Sequence, residues 1–211
     1  MKPPSLTGVF GGTFDPPHLG HLILACESLA QLGLDRLLWV LTPAPPHKPT
    51  RPITPVAERL EMLQRAIADE PRFEICEVEI GRPSPQYTAE TLRLLKAENP
   101  GQGLVFLMGG DSLRALPDWR EPHEILRLCQ ALGVMRRPND RVDLPVLEKR
   151  LPGLSAKVRM VDVPLLQISS SQVRQRVAAG RPFRYYLHPR VYEYVCQAGL
   201  YLSDASAGDK A

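Results

Sequence analysis

The chain lacks the common phosphate and metal signatures. No G-x-x-x-x-G-K-[ST] run occurs, no H-E-x-x-H, and no G-x-G-x-x-G at its glycine turn, which sets aside the P-loop, the zinc-protease helix and the dinucleotide fingerprint. Its four cysteines, Cys26, Cys76, Cys129 and Cys196, form no C-x-x-C pair; in apolar periodic segments they read as buried free thiols. No apolar run approaches the ~18 residues of a membrane span, and no signal-peptide pattern precedes the first apolar strand. The expectation is a cytoplasmic protein with no membrane partner. Charge of either sign is scarce as a cluster: 26 Lys and Arg stand against 23 Asp and Glu, a net charge of +3. With the basic residues scattered, no nucleic acid partner is indicated, and a modest positive excess suits small anionic substrates.

What is present is a hydrophobic fraction of 44% in 211 residues, enough to bury the core of one domain. Apolar strands alternate with amphipathic helices. Strands are expected at Leu6–Phe10, Arg36–Leu41, Phe73–Ile80, Leu104–Met108, Ala131–Met135 and Lys157–Val163. Helices are expected from Leu19, from Thr54-Pro55 as cap and first residue, from Thr88 to about Glu98, after Gly110, over Leu144–Leu151, after the serines 169–171 to a stop at Gly180, and over Arg190–Gly199. In the first helix Leu19, Leu22, Ile23, Cys26, Leu29 and Ala30 read as the buried face. Alternation of this kind argues for an α/β fold with a central parallel sheet. One domain is expected over residues 1–202, with a small polar tail over 203–211.

The informative stretch is Gly8 to His21, a strand, a glycine turn, the stiff Asp15-Pro16-Pro17 and a helix start. A helix N-terminus attracts anions. Gly11 and Gly12 allow close backbone approach. His18 and His21 lie on one side of the first turn and could donate to charge growing on a phosphate; a metal pair or an unrelated surface pair are the other readings of the spacing alone. A second helix start, Ile168-Ser169-Ser170-Ser171-Gln172-Val173-Arg174, offers hydroxyls, N–H groups and a guanidinium; its serines read equally as N-caps. Thr42 to Pro55 is a proline-rich loop, either a connector or the carrier of Lys48 toward phosphate. Thr88 and Asp111 read as helix caps, Trp119 as a half-buried aromatic, and His188, before a proline, as structural.

Gly11-Gly12-Thr13-Phe14-Asp15-Pro16-Pro17-His18-Leu19-Gly20-His21 resembles the signature of the nucleotidyltransferase superfamily with the H-x-G-H motif. The Ser169–Arg174 run is similar to its second signature, with Ser171 where Thr is frequent. Tyr87-Thr88, Gly109-Gly110-Asp111 and Trp119 resemble the nicotinate-nucleotide adenylyltransferases. The resemblance spans nearly the whole chain. It implies a Rossmann-like doubly wound parallel sheet with a small C-terminal helical part, and transfer of the adenylyl group of ATP to nicotinate mononucleotide. It also implies site roles. His18, His21, Lys48 and Arg174 would act on the reacting phosphates. Gly11, Gly12, Thr13, Phe14, Ser169, Ser170 and Ser171 would bind ATP. Tyr87, Thr88, Asp111, Trp119 and Arg120 would bind the mononucleotide. Mg²⁺ would be held by the ATP phosphates, with no metal ligand from the protein. Nicotinamide mononucleotide or phosphopantetheine as acceptor, and a nucleotide-binding regulator without turnover, are the rival readings. Oligomeric state stays open.

Overall fold

A computed structural model describes residues 5–44, 53–136, 142–164 and 166–202. Six parallel strands form one sheet in the order β3-β2-β1-β4-β5-β6. In chain order, β1 is Leu6–Gly12, α1 Leu19–Gln31, β2 Arg36–Leu41, α2 Val56–Ile67, β3 Phe73–Cys76, α3 Thr88–Glu98, β4 Gly103–Gly109 and α4 Gly110–Ala115. There follow α5 Pro122–Leu128, β5 Cys129–Arg136, α6 Leu144–Arg150, α7 Leu154–Lys157, β6 Val158–Asp162, α8 Ser170–Ala178 and α9 Pro189–Gln197. This is the doubly wound order. The chain builds outward from β1 to β3, returns to β4 beside β1 and builds outward again, leaving a crevice at the carboxyl ends of β1 and β4.

Period-2 alternation sends the strand side chains to two cores. Val9, Leu38, Val40, Leu104, Phe106 and Met108 face α3, α4 and α5. Phe10, Leu37, Trp39, Leu41, Val105 and Leu107 face α1, α2, α8 and α9. With both faces covered, β2 from Leu37 to Leu41 and β4 from Leu104 to Met108 must be apolar, as they are. The C-terminal helix α9 closes the second core with Val191 and Val195, and Tyr194 donates from it to Glu58 of α2 at 2.7 Å. At the outer edge Gln31 exchanges two hydrogen bonds with the Asp162 backbone, 2.8 and 3.0 Å, covering part of β6.

Several expectations need correction. The buried face of α1 is Leu24, Ala25, Ser28 and Leu29; of the expected stripe only Leu29 is fully buried, and Cys26 and Ala30 are exposed. Small Ala25 and Ser28 let the helix approach the sheet, so the axis of burial is not the axis of hydrophobicity. Cys196 is also exposed and Cys76 half-buried; Cys129 alone is fully buried, and burial pushes its thiol up to about 12. β3 stops at Cys76, and residues 77–80 turn, Ile80 donating to the Glu77 carbonyl at 2.8 Å. The helix α5, with Pro122 in its first turn and Ile125, Leu126 and Leu128 buried, was not expected. Two helix starts shift by one residue: Pro55 and Tyr87 occupy the cap positions expected for Thr54 and Thr88. The tail 203–211 and Lys48 lie outside the described residues.

Candidate active site

The crevice above β1 and β4 is a cleft of about 1550 Å³. It is lined by every described residue singled out above for catalysis or binding, from Gly11–Phe14 on one wall to Trp119 and Arg120 on the other.

The H-x-G-H motif has a local physical reason. His18 is the N-cap of α1 and His21 its third helical residue; the His21 Nδ1 accepts the His18 backbone N–H at 3.1 Å. An imidazole thus takes the place that Glu or Gln has in a capping box. The two rings stack, centroids 3.7 Å apart and planes 23° apart. Gly20 makes room: a Cβ there would lie 3.1 Å from the His18 ring. With Nδ1 engaged as acceptor, Nε2 is the nitrogen of neutral His21 that carries the proton and can serve a ligand.

Phe14 supports this pair from below. Its backbone is left-handed, φ +46°, a conformation that costs a bulky residue about 1–3 kcal/mol. Its ring is buried against Phe10 and Trp39 and stands edge-on to His21 at 5.2 Å. The side chain therefore braces His21. Gly12 must lack a side chain because a Cβ would meet the Phe14 ring at 2.9 Å.

Gly11 differs: it is exposed on the cleft, and a Cβ there would have nothing within 4 Å. The fold does not demand glycine at this position; a ligand lying against the backbone would. Gly11→Val is expected to keep the wild-type melting temperature and raise the KM for ATP at least about tenfold, since close approach of backbone to ligand is what glycine allows. An unchanged ATP KM would count against a nucleotide lying on the Gly11 backbone.

The second signature is fastened to the first. Ser169 caps α8, accepting from the Gln172 N–H at 3.2 Å. Ser170 donates to the Pro16 carbonyl at 2.9 Å. Arg174 donates to the Asp15 carbonyl and to the Ser171 hydroxyl, and its Nη1 lies 3.8 Å from the Asp15 carboxylate. Two helix N-termini, a guanidinium and three hydroxyls thus converge at one end of the cleft, an arrangement suited to polyphosphate.

Beneath that end lies Arg59, 1% exposed. Its Nε donates to Thr54 O at 2.8 Å, its Nη1 to Thr13 O at 2.9 Å and Thr42 O at 2.8 Å, and its Nη2 to Pro43 O at 2.8 Å. One side chain ties the turns after β1 and β2 to the start of α2. Asp15, also 1% exposed, is the second buried charge here. Sequence reasoning selected neither. The available signal for Arg59 was its place on the apolar stripe of α2, three, four and seven residues before Met62, Leu63 and Ala66.

At the opposite end Tyr87 caps α3, and the Arg120 guanidinium lies 4.8 Å over its ring. Trp119 is half-buried, edge-on to Phe106 at 6.3 Å. Asp111 sits in the first turn of α4 rather than at its cap, its carboxylate folded over Gly109, where a Cβ would come within 2.5 Å of Oδ1. Glu79, also missed from sequence, is buried and accepts from the Thr91 hydroxyl at 2.6 Å. His188 stays outside the cleft and pairs with Asp69 at 3.3 Å.

The family model of cytidylyltransferase-like proteins matches residues 9–176. A probable nicotinate-nucleotide adenylyltransferase of Thermomicrobium roseum is 49% identical over 197 residues, covering 93% of this chain and 92% of that protein. A protein of the same description from Symbiobacterium thermophilum is 40% identical over 202 residues, covering 95% and 97%. Among solved structures, the Plasmodium falciparum nicotinic acid mononucleotide adenylyltransferase complexed with APC has a TM-score of 0.75 at 20% identity, covering 93% of this chain and 97% of that one. At that identity the likeness speaks to the fold. A family model spanning most of the chain and relatives matched nearly end to end agree with what the geometry suggests: the chain belongs to the nicotinate-nucleotide adenylyltransferase family.

Proposed function

We propose that the cleft works as two halves, one holding ATP and the other nicotinate mononucleotide, and that the chain joins them into deamido-NAD and pyrophosphate. The mononucleotide phosphate oxygen attacks the α-phosphorus of ATP in line. The new P–O bond forms as the bond to the β-phosphate oxygen breaks, and that oxygen leaves with the electron pair. A phosphate nucleophile is already anionic, so positioning and charge neutralisation carry the reaction without a strong base or a covalent intermediate.

The stacked His18–His21 pair carries this reading. His21 donates from Nε2 to an oxygen of the reacting phosphates, and His18 holds the same group from beside it. Arg174, Ser169, Ser170 and Ser171 grip the leaving pyrophosphate, together with Lys48. Gly11, Gly12 and Thr13 lie against the nucleotide, with Phe14 behind them. Trp119 stacks on the pyridine ring, and Tyr87, Thr88, Asp111 and Arg120 hold the rest of the mononucleotide.

The chain's donors at the phosphate end are hydroxyls, imidazoles and a guanidinium, and among the described residues no group of three or more His, Cys, Asp or Glu is arranged to hold a metal. Hydroxyls, imidazoles and a guanidinium would hold phosphate oxygens directly, and in this reading a Mg²⁺ would be brought in by the ATP phosphates. Bound there, Mg²⁺ would neutralise triphosphate charge. We further propose one functional domain over residues 1–202 and a cytoplasmic location; no described helix is long and apolar enough to cross a membrane.

Trp119→Ala tests the pyridine half. The expected result is a roughly tenfold rise in the mononucleotide KM, the scale of one stacked aromatic base, with the ATP KM unchanged. An unchanged mononucleotide KM would sink the stacking role.

A further inference from the structure

The last described turn of the chain reaches the phosphate end of the cleft. Tyr201 donates its hydroxyl to Asp15 Oδ1 at 2.9 Å, across 186 positions of sequence. Met62 Sδ lies 3.8 Å from the same phenol oxygen. Burial, then the Asp15 charge, pushes the phenol well above its usual range. The Tyr201 backbone is left-handed, φ +65°, strain that an aromatic residue keeps only where its surroundings hold it. Phe14, next to Asp15, is the other strained residue of this linkage. Asp15 in turn presents its carbonyl and carboxylate to Arg174.

We propose that Tyr201 is a positioning residue for the triphosphate half: its hydroxyl fixes the Asp15 carboxylate and thereby the turn on which Arg174 is seated. The active site is completed by a residue from the far end of the chain. Tyr201 touches no reacting atom and acts through Asp15 and Arg174, so the inference rests on the assignment of Arg174 to the pyrophosphate.

The test is Tyr201→Phe in the full-length chain, which keeps the ring and removes only the O–H, measured with Asp15→Asn, the double variant and Arg174→Ala. Tyr201→Phe is expected to lower kcat/KM for ATP about tenfold, the scale of one hydrogen bond to a charged group. The mononucleotide KM should stay within about twofold, because the pyridine half is not part of the linkage. The double variant should be little worse than Asp15→Asn alone, because both changes break one linkage. Wild-type ATP kinetics in Tyr201→Phe, or effects that multiply in the double variant, overturn the inference. So does a Tyr201→Phe chain that loses its fold or whose two KM values move together, since Tyr201 is then structural. If Arg174→Ala leaves ATP kinetics unchanged, the assignment of Arg174 fails and this inference with it; if Arg174→Ala is impaired and Tyr201→Phe is not, only this inference fails.

Discussion

His21→Ala is expected to lower kcat on the order of 10²–10³, the usual cost of losing one preorganised transition-state donor, while the chain remains folded. The side chain has two jobs of unequal size. Its Nδ1 accepts the His18 N–H and caps α1, worth about 1 kcal/mol. In a chain of this length that lowers the melting temperature by only about 2–4 °C. In the proposed mechanism its Nε2 donates to the phosphate, and that loss should appear in rate. His21→Asn separates the two, since an amide oxygen can accept the His18 N–H but cannot stand in for the imidazole donor. The expected pattern is a melting temperature restored toward wild type with turnover still low. Near wild-type turnover in folded His21→Ala would remove His21 from the mechanism.

Arg59→Met should act the other way round, chiefly on stability. The guanidinium is buried and donates to four backbone carbonyls. Methionine fills similar volume but leaves those acceptors in an interior that water does not reach. At about 1–3 kcal/mol for a buried polar group left unsatisfied, and with some relaxation, a loss of roughly 3 kcal/mol is conservative. That corresponds to a fall of roughly 6–12 °C in melting temperature. Arg59→Lys should recover little, because a single ammonium cannot span carbonyls that a planar fork reaches together. Thr13 is one of the four residues held, so the surviving folded fraction should also show a raised ATP KM. A Tm within a degree or two of wild type in Arg59→Met would mean that the clamp contributes nothing. Differential scanning fluorimetry alongside ATP titration reads both effects.

The parts of the molecule legible in the sequence are those with local causes. Continuous apolar runs such as Leu37–Leu41 mark strands buried on both faces, and their alternation with helices yields the parallel sheet. The glycine turn and H-x-G-H are legible because cap, glycine and third helical residue must be close in sequence to act together. What was not legible depends on tertiary partners. Arg59 stands on the apolar stripe of α2, but the partners that receive it, carbonyls in the turns after β1 and β2 and before α2, are set by the tertiary fold. Asp15 reads as a turn residue until Tyr201 and Arg174 arrive from the other end of the chain. The face of α1 was misjudged because hydrophobicity ranks Cys26 above Ser28, whereas close helix–sheet packing selects Ala25 and Ser28. β3 was read four residues too long because Glu77–Ile80 keeps an alternating pattern after the chain has begun to turn.

The most direct test of the activity is pyrophosphate release from ATP and Mg²⁺ with nicotinate mononucleotide, nicotinamide mononucleotide or phosphopantetheine as acceptor. The expected result is release with the first at a rate well above the other two, together with a product of the mass of deamido-NAD. Release preferring another acceptor would keep the phosphoryl chemistry of the His18–His21 end and overturn the roles given to Tyr87 and Trp119. ATP binding without release in the presence of any of the three would contradict the enzyme assignment itself.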